Sequence, residues 1–175
     1  VRVIIEQNLI RSLKDEIPDT DAFITNRPGI LLMVKTADCQ PIFLYDPVRK
    51  VCGIVHSGWR GTIQNVVGET ISAMTQSFDS RAADILVAVG PSLGPCHSEF
   101  LEREKDFQGF EPYFIENSRV DLLAITRNQL LEVEIRPDHM EFSDICTVCR
   151  RDEYFSFRGD KPDQGRFASV MGVFG

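Results

Sequence analysis

The sequence predicts a mixed α/β (α+β) fold: one compact domain over residues 1–175, with mixed β-sheets and flanking helices. Three observations carry this expectation. Short apolar runs bounded by turn residues recur along the chain and outnumber segments with helical spacing. Ile63, Val66, Val67, Ile71 and Met74 form one apolar stripe at helical period. No repeat, low-complexity block or Gly/Ser linker divides the chain. Strands that directly follow strands argue against a strict βαβ doubly wound sheet.

The elements follow in order. Arg2 to Glu6, centred on Val3-Ile4-Ile5, reads as a strand, and Ala22-Phe23-Ile24-Thr25 as another. Asn26-Arg27-Pro28-Gly29 is turn chemistry, since Pro sets φ and Gly permits positive φ. Ile30 to Val34 is continuously apolar, the pattern of a strand buried on both faces. Pro41 to Tyr45, closed by Asp46-Pro47, pairs with Val51 to Val55 as a hairpin. Thr62 is placed to cap the helix that carries the Ile63–Met74 stripe. Ile85 to Val89 returns to strand and ends at Gly90-Pro91. Ser98 to Phe107 reads as a short charged helix, and Leu122 to Val133 as a helix capped by Asp121. Met140 to Phe142, Tyr154 to Phe157 and Phe167 to Val173 read as late strands.

Composition excludes several classes. Nineteen basic against 26 acidic residues give a net charge of −7. That balance disfavours nucleic acid or an anionic membrane as the main partner, because both need a basic face. No apolar run approaches the ~18 residues of a membrane span, and no signal-peptide pattern opens the chain. Five cysteines are an odd number in a chain too large to need staples. A reducing, cytoplasmic setting is therefore expected.

The most informative stretch runs from Thr36 to Gly61. Thr36-Ala37-Asp38-Cys39 stands where one strand stops, and His56-Ser57-Gly58-Trp59-Arg60-Gly61 where another stops and a helix begins. If the intervening strands are antiparallel, Cys39 and His56 meet at one sheet edge, 17 positions apart in sequence. Gly58 and Gly61 allow close backbone approach, and the helix start offers N–H groups to an anion. Three chemistries stay open for the pair. Cys39 could be a thiolate nucleophile with His56 as its base. Both could be ligands of zinc or copper. Both could be core residues without chemistry.

Other segments speak less clearly. Cys146-Thr147-Val148-Cys149 has CxxC spacing, but a structural zinc needs a second ligand pair, and Cys52 and Cys96 are not spaced as one. Gly90 to His97 is a rigid Gly/Pro loop fit to shape a pocket wall, with His97 expected as a surface histidine. Arg158 and Arg166 flank a turn and could bind phosphate or a carboxylate bidentately.

Taken together, Thr36-Ala37-Asp38-Cys39-Gln40-Pro41-Ile42, Val55 to Thr62, Gly90 to Cys96, Cys146-Thr147, and Phe155 to Arg158 followed by Gly165-Arg166 resemble one family. It is the laccase-domain family, described as multicopper polyphenol oxidase-like and as purine nucleoside phosphorylase of the laccase-domain type, with peptidoglycan-editing relatives. The resemblance implies a compact α/β fold similar to the catalytic domain of cytotoxic necrotizing factor. It also implies a three-ligand zinc site, with copper as the alternative ion, in which Cys39 and His56 are two ligands. The third family ligand is a histidine in a Gln-Val-His-Gly motif absent here. Since the chain opens at Val1 in strand-like sequence, an N-terminal segment carrying it is expected upstream. His97 and Gly159 stand where many members have Cys and Arg.

The function implied is a zinc-dependent purine nucleoside phosphorylase with adenosine deaminase activity. Its partners would be a purine nucleoside and phosphate, in a monomer or homodimer. Arg60, Arg166 and Arg158 would bind substrate. Asp38 would orient His56 or exchange protons. Deamination would use a metal that lowers the pKa of water. A cysteine hydrolase acting on peptidoglycan precursors and a copper-dependent polyphenol oxidase are the alternatives. Three histidines in the whole chain are few for a multinuclear copper enzyme.

Overall fold

The computed structural model describes residues 3–5, 17–160 and 165–174. The strands are β1 (Val3–Ile5), β2 (Ala22–Thr25), β3 (Leu31–Thr36), β4 (Gln40–Asp46), β5 (Val51–Ser57), β6 (Leu86–Val89), β7 (Phe114–Ile115), β8 (Arg119–Val120), β9 (Met140–Phe142) and β10 (Phe167–Gly172). The α-helices are α1 (Trp59–Ile63), α2 (Val66–Phe78), α3 (Arg103–Asp106) and α4 (Leu122–Glu132).

A six-stranded mixed sheet in the order β1-β2-β5-β4-β6-β9 forms the centre. Its inner strands run antiparallel, while β1–β2 and β6–β9 pair in parallel. Period-2 alternation explains why both faces are apolar. Ala22, Ile24, Ile42, Leu44, Val51 and Val55 pack with α2 and α4 on one side. Phe23, Phe43, Tyr45, Cys52 and Ile54 point the other way, onto the β3–β10 ribbon. The result is a three-layer sandwich of helices, sheet and ribbon. A separate aromatic cluster joins Trp59, Phe100 and Phe107, with ring centroids 4.7–6.0 Å apart.

The expected β4–β5 hairpin is present, with Pro41 opposite His56. Asp121 caps α4 by accepting from Ala124 N at 2.9 Å. Five expectations differ. β3 alternates exposed and buried positions, so only one face is covered. The Ile63–Met74 stripe is split between two helices. Asn65 adopts the left-handed conformation (φ 54°) and caps α2 by accepting from Gly68 N. Ile63 then serves the aromatic cluster and Val66 the main core. Thr62 is not a cap; it lies inside α1 and donates to Gly58 O.

Ser98 to Phe107 is mostly irregular, with only α3 helical. Backbone bonds from Phe100 N to Ser118 O and from Val120 N to Ser98 O hold the chain extended there. Tyr154 to Phe157 is not a strand. Ser156 N and the neighbouring Arg158 N donate to the carboxylates of Asp160 and Asp38 rather than to a ladder. The expected Arg2–Glu6 strand lies outside the described residues at both its ends.

Candidate functional site

The β4–β5 register decides the site. Gln40 pairs with Ser57 and Pro41 with His56, so Cys39 and His56 leave the sheet at the same rim. Gly58 packs between them: a Cβ there would lie 3.0 Å from Cys39 Sγ and 4.0 Å from His56 Cε1. The tight turn before β4 puts Asp38 at φ 79°, a conformation rare outside glycine and best tolerated by Asp and Asn. Buried polar contacts fix α1 beside this rim. Ser57 Oγ meets Thr62 Oγ1 at 3.0 Å, and Gln129 Nε2 of α4 donates to Thr62 O at 2.7 Å.

A cavity of about 740 Å³ opens here. Cys39, His56, Asp38, Arg60, Arg158 and Arg166 all line it. Segments from residue 38 to residue 166 are thus brought around one space. The helix start is less than expected, because α1 has five residues and begins before Gly61. The positive charge at this mouth comes from side chains instead. Arg60 lies over the Trp59 ring at 4.2 Å, and Arg158 donates to Glu99 O at 2.7 Å.

The expected link between Asp38 and His56 is corrected. Asp38 Oδ1 accepts from Thr147 Oγ1 and Asp38 Oδ2 from Arg158 N, each at 2.7 Å. His56 instead faces Asp21, with Nδ1 3.3 Å from Asp21 Oδ1. Asp21 was missed because nothing local marks it. It matters only because β2 pairs with β5, and that pairing is not visible in either segment alone. Lys35, Phe100 and Phe157 line the cavity too.

Burial pushes the Cys39 thiol up to about 11; the Asp38 and Asp21 carboxylates add to the rise and Arg166 opposes it. An unassisted thiolate is therefore disfavoured at neutral pH, which counts against Cys39 as a bare nucleophile. The same donors suit a borderline divalent ion. The thiol faces the cavity, and an imidazole whose Nδ1 is held by a carboxylate keeps Nε2 for a metal.

A second set of metal donors lies nearby. The ligand atoms of Cys96, His97, Cys146 and Cys149 all fall within 4.8 Å of one another, so this cluster could hold a metal ion. His97 is not the isolated surface histidine expected, and Cys96 with His97 supplies the second pair that the CxxC lacked in sequence. Burial opposes ionisation of the Cys146 thiol. Amides of Cys149 and Gly94, with Cys96 and His97, nonetheless bring it down to about 7.

Among the described residues no helix is long and apolar enough to cross a membrane. Comparison with known proteins places these features. The chain is 36% identical over 162 residues to a purine nucleoside phosphorylase of Clostridium acetobutylicum, covering 89% of this chain and 68% of that protein. It is 33% identical over 155 residues to the purine nucleoside phosphorylase LACC1 of Mus musculus, covering 82% of this chain and 36% of that protein. The crystal structure of YlmD from Geobacillus stearothermophilus superposes with a TM-score of 0.80 at 29% identity, covering 89% of this chain and 61% of that one. The chain thus spans between about a third and two thirds of these relatives. The family described as multi-copper polyphenol oxidoreductase laccase matches residues 2–173, a span holding both the Cys39–His56 rim and the arginines across the cavity, and the chain belongs to that family.

Proposed function

We propose that this protein is a metal-dependent purine nucleoside phosphorylase that also deaminates adenosine, with zinc as its ion. The observation that carries the reading is one cavity that combines a thiol, a carboxylate-oriented imidazole and three arginines. Its volume falls in the range of small-molecule sites. The relatives bearing the name purine nucleoside phosphorylase support the substrate class.

Cys39 and His56 would hold the ion. A divalent ion held there supplies Lewis acidity at one end of the cavity. The remaining chemistry belongs to the side chains. Arg60, Arg158 and Arg166 bind phosphate and hold an oxygen in line with ribose C1′. That oxygen bonds to C1′ as the C1′–N9 bond breaks, and the base takes up a proton as it leaves. Phe100, Phe157 and Trp59 offer faces for the purine. Asp21 keeps His56 in one orientation. Asp38 shapes the floor through Thr147 and Arg158 rather than acting on His56.

Two observations set the alternatives lower. The raised Cys39 thiol disfavours a cysteine hydrolase. His139 contacts Ile85 O, away from the cavity, leaving few imidazoles for a multicopper oxidase. The test is hypoxanthine release from inosine by the full-length protein, with and without phosphate, beside ammonia release from adenosine. Phosphate-dependent release with ribose 1-phosphate as co-product is expected. No product from any purine nucleoside would overturn the reading.

A further inference from the structure

The Cys96-His97 and Cys146–Cys149 cluster lies outside the cavity, and its internal distances are specific. Cys96 Sγ and Cys149 Sγ are 3.7 Å apart. His97 Nδ1 lies 3.3 Å from Cys96 Sγ, 3.6 Å from Cys146 Sγ and 3.5 Å from Cys149 Sγ. A tetrahedral zinc with bonds of ~2.3 Å to sulfur and ~2.05 Å to nitrogen has edges of about 3.8 Å between sulfurs and about 3.6 Å between sulfur and nitrogen. These four distances match those edges within a few tenths of an ångström. A disulfide instead needs sulfurs at ~2.05 Å, and the three cysteines of the cluster are free thiols.

The surroundings are built for close approach. Gly94 packs so tightly that a Cβ there would lie 2.8 Å from Cys146 Cβ and 3.4 Å from Cys96 Sγ. The two loops are already stitched together: Ser92 N donates to Ile145 O, and Thr147 N donates to Ser92 O. We propose that Cys96, His97, Cys146 and Cys149 form a structural zinc site that clasps the loop after β6 to the loop after β9. Four protein ligands close the coordination sphere, which is the mark of a structural rather than a catalytic ion. Binding releases the thiol protons to solvent and leaves three thiolates and one neutral imidazole on the ion.

The clasp has a defined beneficiary. Leu93 N donates to Asp38 O at 2.8 Å, and Thr147 Oγ1 donates to Asp38 Oδ1. Thr147 sits between two ligands of the proposed site and Leu93 three residues before a third, so the ion would rigidify the cavity wall at Asp38 without touching substrate.

The test is zinc content per chain and thermal unfolding of the full-length protein, purified under reducing conditions. Wild type, Cys39→Ser, Cys96→Ser and the double variant C146S/C149S are compared. Cys39→Ser should keep the clasp zinc and show a chelator-dependent fall in Tm. C146S/C149S and Cys96→Ser should each lose one zinc relative to wild type, and C146S/C149S should lose the chelator response. If the double variant does not fold, cobalt loading of Cys39→Ser decides: tetrahedral thiolate charge-transfer bands support the site, and their absence overturns it. Unchanged zinc in the folded variants, or a Cys96–Cys149 disulfide in the freshly isolated protein, would also overturn it. Zinc lost only on Cys39 replacement would place all the metal in the cavity. Nucleoside turnover is not a readout here, so failure of the phosphorylase reading leaves the result intact.

Discussion

Asp21 holds His56 twice. Its carbonyl accepts from His56 N at 2.7 Å, and its carboxylate lies 3.3 Å from His56 Nδ1. The backbone bond sets the strand edge, and the side chain sets the ring. Asp21→Asn separates the two, because it keeps the main chain and removes the charge. Under the proposed metal-site reading, metal affinity or turnover is expected to fall about 10–100-fold, as for other partners of ligating histidines. Both side chains are about a third exposed, so unfolding stability should change by less than about 1 kcal/mol. Chelator competition and thermal unfolding read the two effects separately, and equal metal affinity in both proteins would contradict the assignment.

Gly58 is the spacer between sulfur and imidazole. Its φ of −76° suits any residue, so Gly58→Ala carries no backbone strain. The added methyl meets Cys39 Sγ at 3.0 Å. The sulfur must move, and a site that depends on its position loses metal or activity by at least about tenfold for a displacement of this kind. Stability should fall by no more than about 1 kcal/mol, because one flexible group yields. Loss of fold without selective loss of function would refute this.

Asp38 combines a left-handed backbone with two short hydrogen bonds. Asp38→Asn keeps an acceptor and tolerates the conformation, so a cost of about 1 kcal/mol is expected. Asp38→Ala removes both bonds and adds strain, and should cost roughly 2–4 kcal/mol. Thr147→Val, at a fully buried position, should fall between them. Urea unfolding of the three variants gives the order.

Arg166 both lines the cavity and opposes the rise of the Cys39 thiol. Under the phosphorylase reading, Arg166→Ala and Arg60→Ala should each raise KM for phosphate about tenfold or more, in line with a lost charge-assisted bond. The nucleoside KM should move less. An equal rise for both substrates would assign these side chains to general packing of the cavity.

Cys52 sits in the ribbon-side core at zero exposure, and burial pushes its thiol from 9.0 up to about 11, against a smaller lowering by its own backbone. The unfolded thiol ionises first as pH rises. The folded state's advantage is therefore complete below about pH 9 and is lost progressively up to about pH 11. That window is worth up to roughly 2–3 kcal/mol. Cys52→Ala should be less stable than wild type at neutral pH and should close that gap on going to pH 11. Parallel stability curves for the two proteins would be inconsistent with a buried neutral thiol.

Much of the cavity was legible because its first half is local. Cys39 and His56 flank a hairpin whose strands each carry a clear apolar signal, so their meeting follows from one antiparallel pairing. Asp121 and α4 were legible for the same reason, a cap and a stripe within one segment. Two of the missed features depend on partners distant in sequence. Asp21 needs the β2–β5 pairing, and the Cys96-His97 pair needs the parallel β6–β9 pairing to reach Cys146 and Cys149. Tyr154 to Phe157 is rich in aromatic residues, like a strand. Its donors close turns instead: Tyr154 N donates to Arg150 O and Ser156 N to the Asp160 carboxylate. The break at Asn65 was hidden because the apolar stripe continues across it, while its two halves cover different cores.

The span of that hairpin has a temporal consequence. Closing β4 on β5 demands only a four-residue connection, Pro47 to Lys50 being its turn, so the thiol and the imidazole come together as early as any tertiary contact in the chain. Arg158 and Arg166 arrive over a hundred positions later, along with the last strand. The thiol–imidazole half of the cavity is thus expected to mature first and the arginine half last. Pulse-labelled hydrogen exchange during refolding would show amides of β4 and β5 protected before those of β10.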